Sequence, residues 1–150
     1  MVTHSGAIHF YSRIENAYQQ FSNYAVRPIT ISGAVYPSVE HYYVWAKCTS
    51  DPDRAHILSA NTPGEAKRRG RCVLLRHNWS EIRLDVMRQA LRAKFTQHAD
   101  LQALLLLGTG DCFIYEDSPD MYWGYASGRG QNWLGSLLME LRTELRRELG

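Results

Sequence analysis

Apolar residues recur along this chain first with the period of a strand and then with that of a helix. Near the start they come in short runs: Ile8-His9-Phe10-Tyr11 predicts a first strand. Ile29-Thr30-Ile31 and Val35-Tyr36, with Ser32-Gly33 between them, predict a hairpin. From Pro37 the pattern turns helical. Ser38 is placed to cap a helix beginning near Val39, and Tyr42, Tyr43, Val44, Trp45 and Ala46 put apolar groups around most of its circumference, as in a buried helix. Asp51-Pro52, with aspartate as cap and proline at the first helical position, predicts a short helix to about Ala60. Thr62 and Glu65 form a capping box that opens another, ending at Gly70. A long helix follows Asn78-Trp79-Ser80 to about Phe95, with Ile82, Val86, Met87, Ala90 and Ala93 inward and Arg83, Arg88 and Arg92 outward. Leu101 to Leu107 predicts a shorter helix stopped by Gly108, and Asp111 to Glu116 a strand. The stripe Leu134, Leu137, Leu138, Leu141 and Leu145 predicts a closing helix from about Trp133. Between these last two, Ser118 to Gly130 is a long aromatic and glycine-rich loop without a period.

A chain of 150 residues suits one domain, 1–150, and 45% hydrophobic with 21% charged residues is ordinary for a globular fold. No run approaches the roughly 20 apolar residues that span a bilayer, and Met1 to Gly6 lacks the basic and apolar regions of a signal peptide. The expectation is a soluble cytoplasmic protein with no membrane partner. Cys48, Cys72 and Cys112 have no C-x-x-C spacing and are expected as buried free thiols. The six histidines have no H-x-x-x-H spacing, so no metal and no cofactor are expected. A net charge of +2 does not demand nucleic acid, and the arginines grouped at 68, 69, 71, 76 and at 142, 146, 147 suit a phosphorylated metabolite equally.

Glu40 and Lys47 bracket the apolar block of the helix after Ser38. Seven residues apart, they return to nearly the same face about 10 Å apart along the axis, with Tyr43 and Val44 between them. A carboxylate and an amine in apolar surroundings are the means of acid/base and amine-nucleophile chemistry; two side chains snorkelling to solvent from a core helix would have the same spacing. In the loop, Asp120 stands beside Tyr122 and Trp123. Gly128-Arg129-Gly130-Gln131-Asn132 is a basic turn running into a helix start, where N–H groups can hold an anion or merely connect. Trp79 and Trp123 can stack on a base or fill a core.

Several separated motifs occur in one order: Phe21-Ser22-Asn23-Tyr24, Pro37-Ser38-Val39-Glu40-His41-Tyr42-Tyr43 with Lys47, Gly70-Arg71, Trp79, Met87 with Ala90 to Phe95, Asp120, Trp123-Gly124, and Asn132 with Leu134-Gly135 through Arg142. In these the chain, from about 8 to 146, resembles the NADAR (YbiA-like) family of N-glycosidases. The resemblance implies a single, mostly helical α+β domain with a small β-sheet, in agreement with the periodicities. It implies hydrolysis of a ribosyl C1–N bond, either in riboflavin-pathway intermediates carrying ribose phosphate or in guanine bearing ADP-ribose. The implied partner is thus a small ribosyl phosphate or an ADP-ribosylated base, with ADP-ribosylated nucleic acid as an extension. Carried over by motif, Glu40, Lys47 and Asp120 are the catalytic candidates, and Asn23, Tyr43, Arg71, Trp79, Trp123 and Asn132 the substrate-binding ones. After Trp123-Gly124 the chain has Tyr125-Ala126, a departure from the commoner pattern that bears on substrate choice. The contrasting reading is a non-catalytic module for ADP-ribose or single-stranded nucleic acid, which would need the rings but not Glu40 and Lys47 together.

Overall fold

A computed structural model describes residues 6–150. Most of the Met1–Gly6 stretch, and His4, lie outside the described residues. In chain order the elements are β1 (Ile8–Phe10), β2 (Ile29–Ile31), β3 (Ala34–Tyr36), α1 (Val39–Ala46), α2 (Asp51–Leu58), α3 (Pro63–Gly70), α4 (Trp79–Gln97), α5 (Ala99–Ala103), β4 (Ile114–Glu116) and α6 (Trp133–Leu149). The class is α+β, as expected. In place of one small sheet the described residues form two two-stranded sheets, β1 with β4 and β2 with β3. The chain falls into two compact units, one of residues 23–97 and one built from the chain on either side of it.

In the unit of residues 23–97, Ile31 pairs with Ala34 across Ser32 and Gly33, both at positive φ (52° and 83°), so the hairpin closes through a two-residue turn of primed type. The free edge of β2 is covered by Gln97, whose amide accepts from Thr30 N and donates to Thr30 O, both at 2.8 Å. Ser38 caps α1 as predicted: its Oγ accepts from His41 N at 3.1 Å. The buried His41 ring lies 2.7 Å from Ser38 Oγ through Nδ1 and 3.0 Å from Ala60 O through Nε2, which fits a ring protonated on Nε2 and fixes the start of α1 to the chain beyond α2. Around α1 the core gathers Val44, Cys48, Ile57, Ala60 and Ala66.

Several boundaries differ from the sequence reading. Ser50, not Asp51, caps α2: its Oγ accepts from Asp53 N at 3.2 Å, which leaves Pro52 inside the first turn, where no N–H is needed. That helix ends at Leu58, and α4 already includes Trp79. On α4, Ile82 and Val86 are half-buried, as are Arg83 and Arg92, while Leu91, Lys94 and Phe95 are buried. Cys72 is exposed, against the expectation of three buried thiols; Cys48 and Cys112 are buried.

In the second unit β1 runs parallel to β4, Ile8 opposite Ile114. Phe10 and Phe21 pack edge to face beneath it, both wholly buried. The leucine stripe of α6 is buried as predicted, and α6 lies so close to β4 that a Cβ on Gly135 would collide with Ile114 O. The helix expected over 101–107 divides into α5 and a wider π turn, Leu104–Gly108. Its carbonyls are drawn to outside donors: Thr109 Oγ1 donates to Leu105 O at 2.7 Å, and Arg146 donates to Leu106 O at 2.8 Å. Arg142, buried beside them, donates to Thr109 Oγ1 and Cys112 O. Among the described residues, no helix is long and apolar enough to cross a membrane.

Candidate active site

Glu40 stands in the first turn of α1, buried at 8% exposure, with its N–H donating to Asn23 O at 3.2 Å. Asn23 is equally buried. Among the described residues its Nδ2 reaches Met87 Sδ at 3.7 Å, and its Oδ1 has no hydrogen-bond partner. An orphaned amide oxygen costs about 1–3 kcal/mol, a cost that a ligand donor would relieve. About two helix turns beyond Glu40, Lys47 closes α1 as its C-terminal cap.

The Lys47 side chain is half-buried and lies over Gly70 at the end of α3. Its amine makes no hydrogen bond or ion pair among the described residues. Burial holds it below the ordinary lysine range; Glu40 opposes that shift, and the Lys67 and Arg71 cations reinforce it. Glu40 and Lys47 thus share a field without forming a salt bridge. Tyr43, between them in sequence, meets Trp79 at 5.0 Å between ring centroids and 59°, and both rings belong to this unit. Trp79 is buried and Tyr43 half-buried. Arg71 caps α3 and is exposed.

Two neighbours are not among the site candidates drawn from the sequence, although Tyr24 belongs to one of its motifs. Tyr24, half-buried, hydrogen-bonds Lys67, whose Nζ is 5.7 Å from the centre of its ring; burial, then the Glu40 charge, pushes its hydroxyl up, and Lys67 and Arg71 pull it down. Lys67 stands four residues before Arg71 on α3, a helical spacing that was there to be read.

The remaining candidates lie on the loop of the other unit. Asp120 is half-buried; its Oδ1 accepts from Tyr122 N and Trp123 N, both at 2.8 Å, and its second oxygen makes no hydrogen bond among the described residues. Trp123 is half-buried and meets Tyr122 edge to face at 4.8 Å. Asn132 takes a left-handed conformation, φ 52°, at the start of α6. Its Nδ2 donates to Ile114 O at 2.9 Å and its Oδ1 accepts from Glu116 N at 3.0 Å, so both amide atoms already hold β4.

The turn from Gly128 to Asn132 is not the open nest of N–H groups that its glycines suggested. Arg129, Gln131, Asn132, Trp133 and Leu134 donate their N–H groups to the carbonyls of Ala126, Met121, Gly124, Tyr122 and Trp123. Residues 121–124 run alongside 131–134 and use up the donors an anion would need. Beneath the loop lies Glu116, also missed, which is buried and accepts from Ser118 Oγ at 2.5 Å. Its carboxyl is pushed up by burial, with the Asp120 and Asp117 charges adding to the shift.

The chain belongs to the NADAR domain family, which matches residues 9–146 and so takes in segments of both units. It is 43% identical to N-glycosidase YbiA of Escherichia coli K12, over 92% of this chain and 88% of that protein. The NMR structure of E. coli YbiA superposes with a TM-score of 0.89, covering 99% of this chain and 89% of that one. N-glycosidase Npun_R5314 of Nostoc punctiforme is 39% identical over 93% of this chain and 92% of its own. Riboflavin biosynthesis protein VVA0006 of Vibrio vulnificus is 39% identical over 92% of this chain and 38% of its own length.

Proposed function

We propose that this chain hydrolyses the ribosyl C1–N bond of an early riboflavin-pathway intermediate, releasing the pyrimidine base and ribose 5-phosphate, with Lys47 as nucleophile and Glu40 as proton carrier. The coarser statement rests on kinship: the chain is a hydrolase of N-glycosyl bonds, as its relatives named N-glycosidase are. That removes the non-catalytic module from consideration. The relative named for riboflavin biosynthesis favours the pyrimidine riboside over ADP-ribosylated guanine.

One observation carries the mechanism: a half-buried amine without a hydrogen-bond or ion-pair partner among the described residues, held below the lysine range, in the field of a buried carboxylate on the same helix. The neutral amine has the lone pair that attack at C1 requires. As the Lys47 nitrogen bonds to C1, the C1–N bond to the base breaks, and the Glu40 carboxylate carries the proton that the amine sheds to the departing base. The ring opens to an imine on Lys47. Water then adds, activated by the Glu40 carboxylate, and releases the sugar phosphate and the free amine. Asn23 Oδ1 is suited to a ribose hydroxyl, and the Tyr43–Trp79 pair to an apolar ring face. By family pattern, Asp120 is a further catalytic carboxylate and Trp123 a ring for the base; Asn132 acts by holding the strand beside their loop.

The test is to incubate the purified protein with a ribosyl-phosphate pyrimidine and, separately, with ADP-ribosylated guanine, reading base release, and to add borohydride during turnover. The expected result is release from the first substrate and a sugar-phosphate adduct on the peptide containing Lys47. Release from ADP-ribosylated guanine alone would move the substrate to that class. Turnover without any adduct would leave water as the direct nucleophile.

A further inference from the structure

Ribose 5-phosphate carries a doubly charged group, and the turn expected to hold it has spent the N–H donors of Arg129, Gln131 and Asn132 within its own loop. The cations of α3 divide into two sets. Arg68 and Arg69 turn to Glu65, at 3.8 and 3.4 Å, and Arg69 also donates to His56 O and Ser59 Oγ. These contacts account for the basic last turn as a complement to the helix dipole. Lys67 and Arg71 stand four residues apart at the end of the same helix. Lys67 lies three residues before Gly70, on the face where Lys47 packs, and its Nζ is 5.7 Å from the Tyr24 ring. Arg71 follows Gly70, exposed, its side chain without a hydrogen bond or ion pair among the described residues.

We propose that Lys67, with the Tyr24 hydroxyl and Arg71, forms the anion-binding end of this site and takes the phosphate monoester of the substrate. This rests on the reading of the Lys47 site as a ribosyl site. Lysine supplies a compact charge, the guanidinium two parallel donors, and the phenol a further donor; together they suit a terminal phosphate. The Lys67 and Arg71 charges, felt at both Lys47 and Tyr24, support the convergence. Substrate choice follows: phosphorylated ribosides bind ahead of bare nucleosides.

The experiment compares the affinities of ribose 5-phosphate and ribose by calorimetry in the wild type, Lys67→Met, Lys67→Arg and Tyr24→Phe, with the fold checked by circular dichroism. Charge-assisted hydrogen bonds of this kind predict a phosphate preference of about tenfold or more in the wild type. Lys67→Met is expected to lose most of that preference, Tyr24→Phe part of it, and Lys67→Arg to keep most. Inorganic phosphate should compete with ribose 5-phosphate in the wild type. No phosphate preference in the wild type, or an undiminished one in Lys67→Met, overturns the proposal. Base release is read separately. A phosphate preference that depends on Lys67, in a protein that releases no base, upholds this inference and removes the proposed reaction.

Discussion

Lys47 and Gly70 are in contact by virtue of a missing side chain: a Cβ at residue 70 would stand 3.2 Å from Lys47 Cε and 3.4 Å from Lys47 Nζ. The same atom would be 2.5 Å from Cγ1 of Val44, a core residue that is 1% exposed. Gly70 therefore gives the amine its resting place on α3.

Gly70→Ala is expected to destabilise the fold by about 1–3 kcal/mol, the usual cost of overpacking, and to lower turnover of the surviving folded protein by displacing Lys47. Thermal melts together with kcat/KM per folded molecule separate the two effects. A normal rate in the folded variant would mean that the position of Lys47 does not depend on this contact.

The pH profile carries a sign. Burial depresses the Lys47 pKa, so the neutral amine accumulates as pH rises through a range below that of ordinary lysine. The proposed attack predicts kcat/KM rising with pH over that range. Lys47→Ala should lose about a thousandfold or more in rate, and Glu40→Gln about 10²–10⁴-fold, with melting temperatures little changed. A pH profile flat across this range, with Lys47→Ala near full rate, would refute the nucleophile assignment.

Lys94 bears on stability. It is wholly buried on α4, and burial, with Arg27 adding to the effect, lowers its pKa to about 7. Between that value and the ordinary lysine value the unfolded chain holds more protons than the folded one, so this residue makes stability climb as pH rises from 7. Tyr24, Tyr36, Tyr42 and Cys48 have raised values and act in the opposite sense nearer their own range, so the window to examine is pH 7 to 8.5. Lys94→Met should flatten the rise in Tm, by a few degrees over that window. A slope that survives the substitution would assign it to another group.

Asp120→Asn keeps the Oδ1 acceptor for Tyr122 N and Trp123 N while removing the charge. The fold should be unchanged and kcat should fall tenfold or more if the carboxylate acts in catalysis. Trp123→Ala is expected to raise KM more than it lowers Tm. A sharp fall in Tm with unchanged KM would make the ring a packing residue.

Local chemistry was the legible part. Ser38 and Thr62 cap the helices they were expected to cap, Ser32-Gly33 makes its turn, and the leucines of α6 face inward, because each depends on neighbours a few residues away. Lys94 sat on the stripe of Met87 and Leu91 and was readable as buried, had its charge not argued otherwise. The π turn was not readable, since Arg146 reaches it from a distant helix. Nor was the spent state of the 128–132 turn, which follows from a segment running beside it. For the site, Glu40 and Lys47 came from helical spacing, and Lys67 was within reach of the same reasoning from Arg71, whereas the approach of Tyr24 to Lys67 emerges only when α3 and the residues before β2 are seen together.

The parallel pairing of Ile8 with Ile114 has a bearing on how the protein is made. A ribosome will have delivered every residue of 23–97 before β1 can meet its partner strand, so β1 must wait through most of synthesis. Closing that long a loop costs more entropy than closing the hairpin, and prior folding of the intervening residues shortens the effective loop. In pulsed hydrogen exchange during refolding, amides of α1 and α4 should become protected before those of Phe10 and Glu116; the reverse order would mean that the two ends of the chain find each other first. A ribosome-bound fragment that stops short of Ile114 would then leave β1 without its partner strand, which makes the unfinished first strand, rather than the helical segment, the natural target for a chaperone.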